Sequence, residues 1–192
     1  CTCVSFHGPL AVTGGRDQLV RVWDSKERAC VRELKGHTTN VRCVDFQRDL
    51  VVSGGEAQVR VWNVQTGEQV GTLSGHNHYV SSLSLDEELR LVTGSWDKSL
   101  RIWKLPDDGA DTEAWAVLNA HTASVLSMQR NGDRLVSGSL GGEIYVWNLI
   151  TEQNTMKMKE SHGCGINDLA WDRNLIFAAA DMNIQVMDTT SG

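Results

Sequence analysis

One pattern recurs five times along the chain. A short apolar run is followed by Thr-Gly or Ser-Gly, then a turn, then a second run ending in Trp-Asp, Trp-Asn or a close variant. Trp23, Trp62, Trp103 and Trp147 close four copies, and Met187 takes the same place in the fifth. A period of about 40 residues means that each copy is one supersecondary unit, too small to bury its own faces and stable only when stacked on its neighbours. All 192 residues therefore read as one array. A scaffold is expected from it, not a catalyst.

Within each copy the runs divide into four strands. The first strands read CTCVSF, VRCVDF, VSSLSL, VLSMQR and INDLAW; the second LAVTGG, LVVSGG, LRLVTGS, RLVSGS and LIFAAA; the third LVRVWD, QVRVWN, SLRIWK, EIYVWN and IQVMD. Fourth strands follow in four copies as CVRELKG, QVGTLSG, AWAVLNA and TMKMKES. Short β-branched and aromatic runs bounded by Gly, Asn, Asp and Ser are antiparallel strands. The second strands are nearly continuous apolar runs, as expected where both sheet faces are covered. The units are read as 1–36, 37–75, 76–120, 121–161 and 162–192, the last with three strands. The insertion from Leu105 to Glu113, with Asp107, Asp108 and Asp111, reads as a solvated loop. A five-unit arc does not obviously close a ring, so a piece of a longer protein is expected.

Composition narrows the function classes. The net charge is −6 with no block of like charges, which argues against a nucleic-acid partner. No stretch of 18 apolar residues offers a membrane span, and the first ten residues lack the order of a secretory signal. The five cysteines show no metal spacing and read as small buried hydrophobes in a reducing compartment, cytoplasmic or nuclear. No metal or cofactor is expected.

A polar set recurs at the same period. His37, His76, His121 and His162 precede first strands. Thr13, Ser53, Thr93 and Ser137 close second strands, and Asp17, Glu56, Asp97 and Asp181 sit on the turn six residues before the marker. Gly141 holds that place in the fourth copy, so His121 is expected to lack a carboxylate. One catalytic triad per protein would suffice for acyl transfer. Recurrence in every unit instead points to an internal brace: carboxylate to His, His to Thr or Ser, hydroxyl to the indole N–H, each buried polar group partnered.

The segment GHNHYVSSLSLDEELRLVTGSWDKSLRIW carries the whole pattern, and with the other copies the chain resembles the WD-repeat β-propeller family. The resemblance implies an all-β propeller of four-stranded antiparallel blades, usually seven or eight around a channel. It also implies a non-enzymatic platform that binds a protein or peptide on the face carrying the Gly-His and Asp loops. GHTTNVRC and GGRDQLVRVWD further resemble the propellers of F-box/WD-repeat substrate adaptors of ubiquitin ligases. Members of that group that read phosphorylated signals carry arginines where Arg16 and Arg42 stand. The third such position here is Thr2.

On that geometry Arg16, Asn40, Arg42, Tyr79, Ser81, Trp96, Leu126 and Leu140 are expected near the channel mouth, with Trp96, Tyr79, Leu126 and Leu140 forming an apolar sector beside the arginines. Clustered Trp, Tyr and Arg are the usual anchors of a protein interface. The alternatives are that Trp96 folds over its own unit and that the arginines are solvated charges. Arg21, Arg60 and Arg101, two residues before the markers, read as outer or inter-blade polar residues.

Overall fold

The computed structural model describes residues 1–158, 165–180 and 183–189. His162 and Asp181 therefore lie outside the described residues. The described residues hold nineteen strands and no helix. They form five antiparallel sheets in chain order. The first contains β1 (Cys3–His7), β2 (Leu10–Gly14), β3 (Leu19–Asp24) and β4 (Ala29–Lys35). The second contains β5 (Cys43–Gln47), β6 (Leu50–Gly54), β7 (Val59–Asn63) and β8 (Gln69–Leu73). The third contains β9 (Val80–Leu85), β10 (Arg90–Ser95), β11 (Ser99–Lys104) and β12 (Ala116–Asn119). The fourth contains β13 (Val125–Asn131), β14 (Arg134–Ser139), β15 (Ile144–Asn148) and β16 (Gln153–Met158), and the last β17 (Ile166–Asp172), β18 (Leu175–Ala180) and β19 (Asn183–Asp188). Each sheet is a meander, and the first strands β1, β5, β9, β13 and β17 pack in succession along the inner side. The result is the arc of a β-propeller.

Burial along the arc shows why a unit needs neighbours. Val4 and Phe6 of β1 are 58% and 79% exposed, whereas Val44 and Phe46 at the same places in β5 are 7% and 3% exposed. Side-chain type is unchanged, so the difference is the adjoining sheet. Trp23 is likewise more exposed than Trp62, Trp103 and Trp147, which are buried. Burying a residue of this size is worth about 1.5–3 kcal/mol. Cores accordingly lie between sheets: Val52, Val59 and Leu73 of the second sheet meet Leu91 and Trp103 of the third. Asp45 adds a polar stitch, accepting from the Ser5 hydroxyl at 2.7 Å and the Leu85 amide at 2.8 Å, so one carboxylate ties three consecutive sheets. Free cysteines differ from expectation: Cys43 is buried and Cys3 half-buried, but Cys1 and Cys30 are exposed.

The brace is complete in the third sheet. Trp103 Nε1–H donates to Thr93 Oγ1 at 2.9 Å, and Thr93 Oγ1 lies 2.8 Å from His76 Nε2. His76 Nδ1 lies 2.8 Å from Asp97 Oδ2. Because the carboxylate only accepts, Nδ1 carries the proton and Nε2 accepts from the threonine hydroxyl. Asp97 also accepts from the Asn77 amide at 3.0 Å and the Ser99 hydroxyl at 2.6 Å. Burial opposes its charge, but the bonds from His76, Ser99 and Asn77 outweigh it and hold the carboxyl well below its usual range.

Other copies vary the brace. In the second, Trp62 donates to Ser53 at 2.8 Å and Ser53 lies 2.7 Å from His37 Nε2, but Glu56 stands 3.4 Å from His37 Nδ1 without hydrogen-bond geometry. The fourth copy corrects the sequence expectation. His121 keeps a carboxylate, because Glu143 takes the place held by Ser99 and its longer side chain reaches back to 3.6 Å from His121 Nδ1. Glu143 also accepts from the Thr122 amide at 2.7 Å, as Asp97 does from Asn77. In the first copy Asp17 instead pairs with Arg21 at 2.7 Å, while Trp23 still donates to Thr13 at 2.9 Å.

The insertion is the second correction. It is a strap, not a free loop. Leu105 and Gly109 are buried, Gly109 with a φ of +72° against the Leu50, Val61 and Val70 side chains. The Asp111 carboxylate accepts from the Thr72 amide at 2.5 Å, capping the outer edge of β8. Arg48, whose guanidinium donates to the Glu87 carbonyl at 2.7 Å, also pairs with Asp107 at 3.0 Å. An unpaired strand edge is a liability, and this strap covers it.

Three measurable consequences follow from these contacts. Asp97→Ala is expected to lower unfolding free energy by roughly 1–3 kcal/mol, since it orphans His76 and two amides; urea denaturation reads this directly. Asp111→Ala is expected to cost about 1 kcal/mol with an unchanged denaturant slope. Burial, reinforced at His37 by Arg60, lowers the pKa of His37 and of His121 to about 4, against 6.5 for the free side chain. Both contribute stability that is full above pH 6.5 and lost as pH falls through that value toward 4, by at most about 3 kcal/mol each. A pH series of urea melts checks the window, and replacing either histidine with glutamine should flatten it.

Candidate functional site

The braces fix two sets of loops on one face, those preceding the first strands and those joining second to third strands. The loops are then locked to one another across sheets. Trp96 N–H donates to the Tyr79 carbonyl at 3.0 Å, and the Trp96 carbonyl accepts from the Ser124 hydroxyl at 3.2 Å. Val41 N–H donates to Gly15 at 3.0 Å, and Leu140 N–H to Ser124 at 2.8 Å. Ser81 Oγ donates within 3.1 Å of the Gly94 carbonyl and 2.6 Å of the Val125 carbonyl, and Thr2 Oγ1 bridges Gly14 and Val41 in the same manner. Side chains on these turns are consequently held by rigid backbone.

They converge on a cavity of about 410 Å³ lined by Arg16, Asn40, Arg42, Ser81, Trp96 and Leu126, with Thr2 and Asn167 at its ends. Six of the eight residues expected at the mouth thus share one concavity. Tyr79 does not line it but lies against Arg42 and Trp96, which do. Leu140 stands apart: it is 57% exposed and leans over Gly165. The apolar sector is therefore narrower than the sequence suggested, because the Leu140 side chain lies against Gly165 of the next sheet's loop while Leu126 of its own sheet lines the cavity.

At the centre the Arg42 guanidinium lies 4.6 Å from the Trp96 ring centroid and 5.1 Å from that of Tyr79. The two rings meet edge to face at 5.5 Å. His78, which sequence reasoning passed over, completes the aromatic group at 5.5 Å from Trp96 and 4.9 Å from Tyr79. Its signal was its place beside Tyr79 in the GHNHY loop. Trp96 packs over Tyr79 and His78 of its own unit, and with Tyr79 forms a shelf for an arginine from the neighbouring sheet. Such a contact is worth about 0.5–2 kcal/mol and restrains a long side chain.

The electrostatics are local and one-sided. The lining holds two guanidiniums and no carboxylate, in a chain of net charge −6. Neither Arg16 nor Arg42 has an acidic partner among the described residues. Arg42 keeps both ring contacts while its N–H groups remain free to donate, which is a preorganised receptor for an anionic group. The Trp96 indole N–H is also without a partner. No group of three or more His, Cys, Asp or Glu among the described residues is placed to hold a metal ion. No helix of the described residues is long and apolar enough to cross a membrane.

Trp96→Leu is expected to leave the melting temperature nearly unchanged and to move the Arg42 side-chain proton resonances downfield as the ring current disappears. Unmoved resonances would show that the shelf does not hold Arg42 in solution.

Comparison with known proteins gives the same architecture. The family described as "WD domain, G-beta repeat" matches residues 1–24, 28–63, 67–104 and 113–148, more than half of the chain. The Saccharomyces cerevisiae Cell division control protein 4 is 28% identical over 214 residues, covering 97% of this chain and 27% of that protein. The Mitochondrial division protein 1 of the same yeast is 31% identical over 129 residues, 54% of this chain and 18% of that one. The Drosophila persimilis Ribosome biogenesis protein WDR12 homolog is 27% identical over 215 residues, 98% of this chain and 51% of its own. The chain thus spans from about a fifth to half the length of these relatives. The crystal structure of the computationally designed Ika8 protein superposes with a TM-score of 0.85 at 23% identity, over 100% of this chain and 59% of that one. With its repeats, its braces and these matches, the chain belongs to the WD domain, G-beta repeat family.

Proposed function

We propose that this chain is a non-enzymatic interaction scaffold that captures an anionic peptide, acidic or phosphorylated, at the mouth formed by Arg16, Arg42 and Trp96. One observation carries the reading: two arginines without acidic partners line one cavity, and one of them is stacked on a Trp–Tyr pair. Arg and Trp in a rigid concavity are typical interface anchors, and the guanidinium fork suits a carboxylate or phosphate. The resemblance to F-box/WD-repeat adaptors supports a finer role, presentation of a substrate to a ubiquitin ligase in the cytoplasm or nucleus. The names of the relatives, which span cell division, mitochondrial division and ribosome biogenesis, support a second reading as a scaffold in another multiprotein assembly. A nucleic-acid partner is disfavoured by the negative net charge.

The test is fluorescence anisotropy with matched peptides bearing phosphothreonine, glutamate or alanine at one central position. The phosphothreonine and glutamate peptides are expected to bind and the alanine peptide not to bind. Arg42→Ala and Trp96→Ala should each weaken binding at least tenfold, about 1.4 kcal/mol, with the melting temperature within a few degrees of wild type. Equal binding by both variants contradicts the assignment.

A further inference from the structure

The outer belt of the arc carries a second surface, distinct from the cavity on the loop face. Its first sign is an arginine left without a partner. The third strands of the first three sheets carry an arginine at one repeat position, and in the first two the side chains around it pair with it. Arg21 pairs with Asp17 at 2.7 Å and with Glu33, its cross-strand neighbour, at 3.0 Å. Arg60 donates to Gln69 at 2.8 Å and lies 3.7 Å from Glu56. In the third sheet the turn carboxylate, Asp97, is committed to His76, Ser99 and the Asn77 amide. The cross-strand neighbour of Arg101 is Val117, which offers no acceptor. Arg101 therefore has no side-chain acceptor among the described residues; its Nε–H is buried without a partner, as is that of Arg60, but Arg60 keeps Gln69 and Glu56 at its terminal nitrogens and Arg101 has neither.

The second sign is apolar exposure beside it. Trp115, just before β12, and Val117, within it, are 64% and 43% exposed. An unpaired Arg next to an exposed Trp and Val has the composition of a binding anchor. A groove of about 460 Å³ adjoins this edge, shares Val117 with it and runs between Val117 and Asn119 on one side and Trp147, Glu152 and Asn154 on the other; Arg101 and Trp115 lie outside its lining.

The third sign is a template within the molecule. One sheet earlier, the same edge is not bare. The strap that follows β11 lies against β8, and its Asp111 carboxylate accepts from the Thr72 amide at 2.5 Å. Thr72 faces Arg60 across the ladder as Val117 faces Arg101, so the Val117 amide holds the register position of the capped Thr72 amide. Strand β15 is followed by a short turn and not by an insertion, and among the described residues nothing equivalent to the strap reaches β12. The fold thus shows what covers this kind of edge, a short extended segment offering a carboxylate, and leaves the corresponding position in the third sheet open.

The geometry points to the outer edge of β12 as a docking site for an extended acidic peptide of a partner protein, with one Asp or Glu side chain received by Arg101 and the Val117 amide and a neighbouring aliphatic residue lying against Trp115 and Val117. Charge complementarity selects the occupant, since the free group at the edge is a cation and the internal model for the contact is an aspartate. Glu152 on the far wall of the groove rejects a second acidic residue there and so sets the direction of the peptide.

The test is selection of a displayed library of random 12-residue peptides on the protein, followed by affinity measurement of synthetic versions of the enriched sequences. Enrichment of Asp or Glu adjacent to Leu, Ile or Val is expected, with binding weakened at least tenfold by Arg101→Gln and by Trp115→Ala and unchanged by Arg42→Ala. Thermal melts of the variants should stay within a few degrees of wild type, because Trp115 is exposed and the half-buried Arg101, having no side-chain acceptor, leaves no partner orphaned when it becomes glutamine. Peptides that lose affinity only on Arg42→Ala, peptides insensitive to Arg101→Gln, or no enrichment at all would overturn the proposal. So would concentration-dependent self-association abolished by Arg101→Gln, which would assign the edge to a second copy of this chain. Because the readouts separate Arg101 from Arg42, failure here leaves the loop-face reading intact, and the reverse also holds.

Discussion

An indole N–H donated to a threonine or serine hydroxyl, half-buried in the first sheet and fully buried in the next three, is the contact on which the rest of this structure depends. It occurs in four successive sheets, Trp23 to Thr13, Trp62 to Ser53, Trp103 to Thr93 and Trp147 to Ser137, at 2.7–2.9 Å. The bond ties the third strand to the second at the same height in each sheet. In the second, third and fourth it passes through a histidine to the loops of the functional face. An unmet donor or acceptor in this setting costs about 1–3 kcal/mol, which is why the first four copies vary the carboxylate but keep the hydroxyl and the indole, while the fifth, with Met187 and no hydroxyl on its second strand, drops both together.

The variation is instructive about how much freedom the brace allows. Asp97 makes a direct hydrogen bond to its histidine, whereas Glu56 and Glu143 stay within ion-pair range without making one. All three instead accept from the backbone amide that follows the histidine: Thr38, Asn77 and Thr122. The constant duty of the carboxylate is thus to fix that loop amide, and its bond to the imidazole is optional. Loops held in this way are stiff enough to align side chains from adjacent sheets, and Arg42 resting on Trp96 and Tyr79 is the product.

Much of this was legible in the sequence because the repeat states its structural residues several times over. Strand order, marker tryptophans and the hydroxyl–histidine pairs follow from period and residue type alone. Placement of Arg16 and Arg42 in one cavity was implied by the resemblance to the propeller family together with the adjacency of their repeats. What escaped is what occurs once. Glu143 was invisible because it acts from two positions beyond the expected turn residue, a distance that only side-chain reach explains. The strap read as solvent-exposed because its four acidic residues dominate its composition, yet Gly109 and Leu105 carry it into the gap between two sheets. His78 and the unpartnered Arg101 depend on neighbours that no single repeat specifies.

Histidine tautomers test the central claim most directly. If indole, hydroxyl, imidazole and carboxylate form one brace, long-range nitrogen–proton spectra at neutral pH should show His37, His76 and His121 each fixed with the proton on Nδ1 and with Nε2 unprotonated. Averaged tautomers, or a proton on Nε2 in His76, would contradict the account.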